Sequence, residues 1–189
     1  MLVNFSEQII QQFKIPAFSL NAGDIVVVQL ANGPFFKPVE MELIAILTGA
    51  QKNDGVTINT NFSYAGDVKI RSSWDRFFPI TVGRHLNKFA DKLNPLHEMG
   101  FEIPGVSMNK PINGLTNTQR RLVSLYSTLS HTHQIIFDLQ GIDPSGGQQI
   151  YDAVKSVTAK GVTAILFDYC DEFKDDCTRF VKATYLGGT

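Results

Sequence analysis

Gln134-Ile-Ile-Phe-Asp138, then a turn at Leu139-Gln-Gly-Ile-Asp-Pro144, then Ser145 to Lys160, then Val162 to Phe167 closing on Asp168-Tyr169: this run sets the architecture. Its two outer segments are apolar without a break, as in strands covered on both faces of a sheet. Between them Ile150, Val154 and Val157 recur at i, i+4 and i+7 and give a helix one buried face. Strand, turn, helix and strand make a βαβ crossover. The expectation is a mostly parallel sheet in an α/β fold.

Working back toward the N-terminus, Asn21-Ala-Gly-Asp24 is a turn, and Asp24 to Leu30, with Ile25 to Val28 at its centre, is another buried strand. Asn32-Gly33-Pro34 breaks it. A helix is expected from about Pro38 to Leu47, with Val39, Leu43, Ile46 and Leu47 inward and Glu40 and Glu42 in its first turns. Proline suits a first helical position, and Gly49 ends the helix. Ile15 to Leu20 alternates and reads as one strand. Met1 to Phe13 is short and mixed, a strand or a helical turn. Val56 to Phe62 and Val68 to Ile70 read as short strands. Arg71 to Arg84 is irregular and aromatic-rich. His85 to Met99 reads as helix broken at Pro95, and Phe101 to Gly114 as loop. Thr118 to Ser130 is a helix with Leu122, Leu125, Tyr126 and Leu129 on one face.

The 189 residues suit a single domain, residues 1–189, and the hydrophobic share of 43% against 19% charged is that of a globular chain. Lysine plus arginine (17) nearly balances aspartate plus glutamate (18), which leaves no basic field for nucleic acid or an anionic membrane. The apolar runs are too short to span a bilayer, so no direct membrane insertion is expected. Met1 to Phe13 lacks the basic start and long apolar core of a signal peptide. Cys170 and Cys177 form neither a metal pattern nor a disulfide framework, which fits a reducing cytosol.

Several positions together resemble the nucleotide-binding domain of ATP-binding cassette (ABC) transporters, across nearly the whole length and in the family's order. Asn21 to Ile25 resembles the turn and strand before the phosphate loop, Leu30-Ala-Asn-Gly33 the start of that loop, and Leu47-Thr-Gly49 the end of the next helix. Phe77-Phe-Pro79, Val82 and Leu86 resemble the segment after the glutamine loop. Leu115-Thr-Asn-Thr-Gln-Arg120 stands where the signature would. Ile135-Ile-Phe-Asp138 resembles the Walker B strand and Gly141-Ile-Asp-Pro144 the D-loop. Asp171-Glu172 with Cys177-Thr-Arg179 resembles the closing helix. The resemblance implies a P-loop NTPase-like ABC ATPase fold with an N-terminal antiparallel part. It implies a shortened helical subdomain at about 74–118, since only about 45 residues separate Ser73 from Thr118.

Against that family the chemistry is depleted. A phosphate loop needs glycines, a lysine for the phosphates and a Ser or Thr for Mg²⁺. Here Asn32-Gly-Pro-Phe-Phe-Lys-Pro38 keeps Asn32 and Gly33, offers Lys37 only with one inserted residue, and follows it with no hydroxyl. Pro34 and Pro38 remove backbone donors. The glutamine-loop position falls near Ser72-Ser73, without a glutamine. In the signature, Thr116, Asn117 and Thr118 replace small residues before Gln119, and their side chains obstruct the approach of backbone amides to a phosphate. Asp138 matches the Walker B aspartate, but Leu139 stands at the catalytic glutamate and cannot accept a proton. Tyr169 stands at the switch histidine and does not replace imidazole near neutral pH. Two residues are missing between Asp138 and the D-loop-like Gly141 and Asp143. Asp138 equally suits a structural role, a strand-end carboxylate bonded to loop amides.

Elsewhere the signals are weak. His131 and His133 make a bare H-x-H, His85 and His97 stand alone, and no metal site is expected. Asp171, Glu172, Asp175 and Asp176 read as an acidic cluster at the start of a helix. Trp74, Phe77 and Phe78 form either an exposed patch or core. The expected function is a catalytically degenerate ABC-type subunit, a non-hydrolysing regulatory or structural partner of a transporter or related complex. The alternative is a weak nucleotide-binding ATPase component using Asn32, Gly33, Lys37 and Asp138. The only cofactor implied is ATP with Mg²⁺. The implied partners are a second copy, an active ABC ATPase or a membrane permease, with no nucleic acid. The implied location is cytoplasmic, at the inner face of the membrane if a permease is the partner. A different α/β enzyme has no supporting constellation.

Overall fold

The computed structural model describes residues 1–68 and 79–187. The N-terminal half opens with β1 (Val3–Phe5), β2 (Gln8–Ile10), β3 (Phe13–Ile15), β4 (Phe18–Leu20) and β5 (Ile25–Gln29). Next come α1 (Phe36–Leu47), β6 (Val56–Ile58) and β7 (Ser63–Tyr64). The helical stretch holds α2 (Val82–Phe89), α3 (Leu96–Met99) and α4 (Asn117–Leu129). The chain closes with β8 (Gln134–Asp138), α5 (Pro144–Thr158), β9 (Thr163–Asp168), β10 (Arg179–Lys182) and β11 (Thr184–Tyr185). Two compact units result: residues 1–64, 134–140 and 154–189, and residues 65–133 with 141–153.

The first unit is built on a five-stranded parallel sheet of order β10-β5-β9-β8-β7. The expected βαβ crossover is there: β8 and β9 pair in parallel with Ile136 opposite Ile165, and Ile150, Val154 and Val157 of α5 are buried. Every residue of β9 is buried, as its unbroken apolar run requires. Two small antiparallel sheets, β4-β1-β6 and β11-β3-β2, complete this unit. Phe5 and Phe18 stack across the β1–β4 pair with centroids 4.8 Å apart. They join one core with Val39, Leu43 and Leu47 of α1 and Ile136, Ile165 and Phe167 of the parallel sheet. Gly49 takes φ +76° just past α1, the left-handed turn that ends a helix.

The second unit is helical. Leu122, Leu125, Tyr126 and Leu129 of α4 are buried along the face their spacing predicts. The expected helix 85–99 is two pieces, α2 and α3, separated by turns through Asp91 and Asn94, whose carboxylate and amide oxygens cap the following backbone.

Four expectations are corrected. Ile15 to Leu20 is not one strand: Pro16 interrupts it, and β3 and β4 go to different sheets. Strand Val56–Phe62 stops at Ile58. Val68 is not in a strand, and the edge of the parallel sheet is β7 instead. No helix starts at Asp171. That segment is a series of turns leading into β10, which pairs with β5 because Phe180 and Val181 supply the apolar content of a strand. Residues 69–78, among them Ser72-Ser73, Trp74, Phe77 and Phe78, lie outside the described residues.

Candidate functional site

In an open parallel sheet the C-terminal strand ends are where ligands sit. Here that edge carries Leu30 after β5, Asp138 ending β8 and Asp168 ending β9, with the Asn32–Lys37 stretch leaving β5. The first unit therefore gathers Asn32, Gly33, Lys37, Asp138 and Tyr169 at one edge, and its own residues hold the Lys37 ammonium and the Asp138 carboxylate.

The loop after β5 is short. Gly33 takes φ +140°, which favours glycine, and the helix begins at Phe36, two residues before the expected Pro38. The Phe36 N–H donates to the Gly33 carbonyl at 3.1 Å. Pro34 and Pro38 have no N–H to offer. Phe35 is 45% exposed and stacks on Tyr185 of β11, centroids 5.3 Å apart; Phe36 is buried and meets the Tyr169 ring edge-on at 6.2 Å. Lys37 sits in the first turn of α1, with its Nζ 2.5 Å from Oε2 of Glu40, a residue with no exposed surface. Spacing i, i+3 puts the two on one helix face, a pairing open to sequence reading once the helix starts at Phe36.

Asp138 is 1% exposed. Its Oδ2 accepts the Tyr64 hydroxyl of β7 and its Oδ1 accepts the Gln140 amide at 2.9 Å. The next residue, Leu139, is buried. Tyr64 carried no sequence signal, because a two-residue strand has no period. Asp168, also without an assigned role in the sequence, is buried beside it. Its Oδ1 accepts the amides of Tyr169 at 2.7 Å and Cys170 at 3.4 Å. Burial pushes the Asp168 carboxyl up; those two amides pull it down, and the Glu172 and Asp138 carboxylates add to the rise. The folded state thus holds this proton more tightly than the unfolded chain. Its stabilising share is full below the ordinary carboxylate range and is lost as pH rises through the raised value. Asp168→Asn, which keeps an acceptor for both amides, should gain stability relative to the parent as pH rises across that window. Denaturant titrations at a series of pH values test this, and a difference independent of pH would refute it.

The second unit holds the signature-like and D-loop-like residues. Thr116 caps α4: its hydroxyl accepts the Gln119 amide at 3.1 Å while Gln119 Oε1 accepts the Thr116 amide at 3.1 Å, a reciprocal capping box. Gln119 Nε2 also donates to the Pro104 carbonyl. Asn117 donates to the Gly141 carbonyl at 3.0 Å and accepts from Arg120. Thr118 lies so close to Gly146 that a Cβ there would strike its hydroxyl. Asp143 accepts the Gly146 amide at 3.0 Å, and Gly141 takes φ +75°. All four signature-like residues thus carry local structural contacts. Thr116→Ala should cost about 1 kcal/mol of stability by removing the cap, read from a denaturation midpoint; an unchanged midpoint would show the cap idle.

Outside these two groups, His131 Nε2 lies 2.8 Å from the Phe89 carbonyl, to which it donates. Among the described residues no cluster of three or more His, Cys, Asp or Glu side chains is arranged to hold a metal ion, and no helix is long and apolar enough to cross a membrane.

Solved structures share this architecture. A metal-chelate type ABC transporter in an inward-facing conformation superposes with a TM-score of 0.74 at 13% identity, over 98% of this chain and 81% of that one. cbiO1 from Clostridium perfringens, part of the ABC transporter complex cbiONQ, gives 0.68 at 13% identity over 97% and 86%. A nucleotide-free ATP-binding cassette from an ABC transporter gives 0.68 at 17% identity over 96% and 87%. No family model and no curated protein matches the sequence. The fold is that of the ATP-binding cassettes of ABC transporters: α/β, with a parallel core sheet and an antiparallel N-terminal part.

Proposed function

We propose that this chain is a non-hydrolysing cassette, a structural or regulatory protein partner of an ABC transporter or related complex. The observation that carries this is the Asn32–Pro38 stretch. Two of its residues are prolines without amide donors, the Phe36 amide is spent on Gly33, and the Lys37 ammonium is held by Glu40. These residues do not fit a Mg-nucleotide. No Ser or Thr follows Lys37 to reach Mg²⁺, and Asp138 is engaged by Tyr64 and Gln140. Leu139 in place of a proton acceptor and Tyr169 in place of imidazole agree with that reading. No hydrolytic step is derived.

A cassette that makes no use of nucleotide is left with its surface, and its work is to bind other proteins. Among solved structures with this fold, cbiO1 is part of the complex cbiONQ; by that analogy the partner here is a permease, an active cassette or a second copy. On this reading the chain is cytoplasmic and reaches the inner face of the membrane only through such a partner. We read residues 74–118 as a trimmed helical subdomain of one cassette domain spanning 1–189. Calorimetric titration of the purified protein with Mg-ATP and Mg-ADP, from micromolar to millimolar, tests the reading. No saturable heat is expected. Mg²⁺-dependent binding abolished by Lys37→Ala, or ATP hydrolysis abolished by Asp138→Asn, would overturn it in favour of a weak nucleotide-binding ATPase component.

A further inference from the structure

The helical unit carries an open cleft of about 480 Å³ beside α2, a volume suited to a small molecule. Its chemistry is one-sided. Thr81, Arg84, Asn87 and Lys88 line it from α2, Met108 and Asn109 line it from the following loop, and among the described residues no carboxylate does. Thr81, Arg84 and Lys88 are three and four residues apart and therefore share a helix face. Arg84 and Lys88 are exposed, and among the described residues neither makes an ion pair. Lys88 Nζ lies 5.1 Å from the centroid of the half-exposed Phe89 ring. The first acid after α2, Asp91, turns Oδ1 to the Leu93 amide at 2.9 Å.

The walls are fixed before anything binds. The Val82 amide donates to the Lys110 carbonyl at 2.9 Å, the Gly83 amide to the Met108 carbonyl at 2.8 Å and the Ile112 amide to the Ile80 carbonyl at 2.9 Å. A Cβ at Gly83 would stand 3.0 Å from the Met108 oxygen, so a residue without one lets the two walls come this close. The Arg84 amide is taken by the Thr81 hydroxyl at 3.3 Å and the His85 amide by the Thr81 carbonyl at 2.9 Å. With these amides engaged, recognition of an anion falls to the side chains. A cleft already in place loses little entropy on binding.

A guanidinium presents a planar fork matched to one carboxylate, and an ammonium is a point charge for another. Residues four apart on a helix hold their Cβ atoms about 5–6 Å apart, a separation that suits two anionic groups better than one. Asn87 and Asn109 bring further amide donors, and Met108 brings exposed apolar surface for a carbon chain. We propose that the α2 cleft binds a small dicarboxylic acid of about four to six carbons, one carboxylate on Arg84 and the other on Lys88. The charge pairs are open to water, so the dissociation constant is on the order of a millimolar at low salt and rises with salt. The site shares no residue with the Asn32–Lys37 stretch and stands whichever way the Mg-ATP titration falls.

The test is a titration of the whole chain with succinate, glutarate and adipate at constant ionic strength, followed by amide chemical shifts. Acetate, inorganic phosphate and the neutral diamide succinamide serve as comparisons. Saturable shifts are expected at residues 81–88 and 108–109 with at least one dicarboxylate, and binding about tenfold weaker or absent for each comparison compound. Arg84→Gln and Lys88→Gln should each weaken binding by about tenfold, the share of one charge-assisted contact. Both side chains are exposed and glutamine keeps the helical propensity, so the denaturation midpoint stays at that of the parent, which separates lost binding from lost fold. The proposal is overturned if no dicarboxylate gives saturable shifts at these residues, if phosphate or acetate binds as tightly, or if binding survives both substitutions.

Discussion

Asp138→Ala should lower the unfolding free energy by about 3 kcal/mol and, on the proposed reading, leave ATP turnover at the background expected of the parent. The carboxylate is almost wholly buried and satisfies two donors, the Tyr64 hydroxyl and the Gln140 amide. Alanine removes the charged acceptor from both, and a hydrogen bond to a charged group is worth about 1.5–3 kcal/mol. The donors lie on different elements, β7 and the turn after β8, so the loss unpins the sheet edge and the turn together. Asp138→Asn keeps one acceptor oxygen and should lose about half as much. The pair of variants separates two roles for one residue. A structural aspartate gives graded stability loss and no change in nucleotide handling. A metal-site aspartate gives lost turnover or Mg-nucleotide binding with little change in the denaturation midpoint, and that outcome would sink the structural assignment.

How much of this could be read from residues differs by element. β8 and β9 were legible as unbroken apolar runs, and α5 and α4 because their apolar residues recur at the helical period. The N-terminal strands were blurred because each is three residues long, too short for alternation to count, and only the proline at residue 16 marks where one sheet gives way to another. The closing strand β10 was missed because acidic residues ahead of it mimic a helix start. At the site, the resemblance to ABC cassettes brought Asn32, Gly33, Lys37 and Asp138 together as candidate nucleotide-binding residues. It could not supply their partners. Tyr64 and Tyr185 reach that edge through strand pairing, which is a long-range fact. Glu40 was read only as an acid of the helix's first turns; its burial depends on what packs over the helix, which no local pattern records. Thr116 was read as a replacement that obstructs a phosphate and Gln119 as a signature residue retained, while their spacing of three was itself the capping box.

Lys37→Met should cost about 2 kcal/mol of stability while leaving the Mg-ATP titration flat. Glu40 has no exposed surface, and the Lys37 ammonium sits 2.5 Å from its carboxylate from a side chain that is 45% exposed. Removing one partner of an ion pair costs about 3–5 kcal/mol when both partners are buried. The half-exposed lysine is partly screened by water, which brings the figure down. Methionine keeps the stem and the helical propensity, so the change isolates the charge. A second substitution in the same background, Lys37→Met with Glu40→Gln, removes the buried negative charge and retains an amide able to hydrogen-bond. It should recover most of the loss, to within about 1 kcal/mol of the parent, because neutralising both members of a buried pair is often close to neutral. The cycle is read by denaturant unfolding and by calorimetry on the same samples. Non-additive recovery with no nucleotide signal in any of the proteins means Lys37 serves the helix it belongs to. If Lys37→Met instead leaves stability untouched and erases saturable Mg-ATP binding in the parent, the lysine leaves Glu40 for a phosphate, and the non-hydrolysing partner becomes a nucleotide-responsive one.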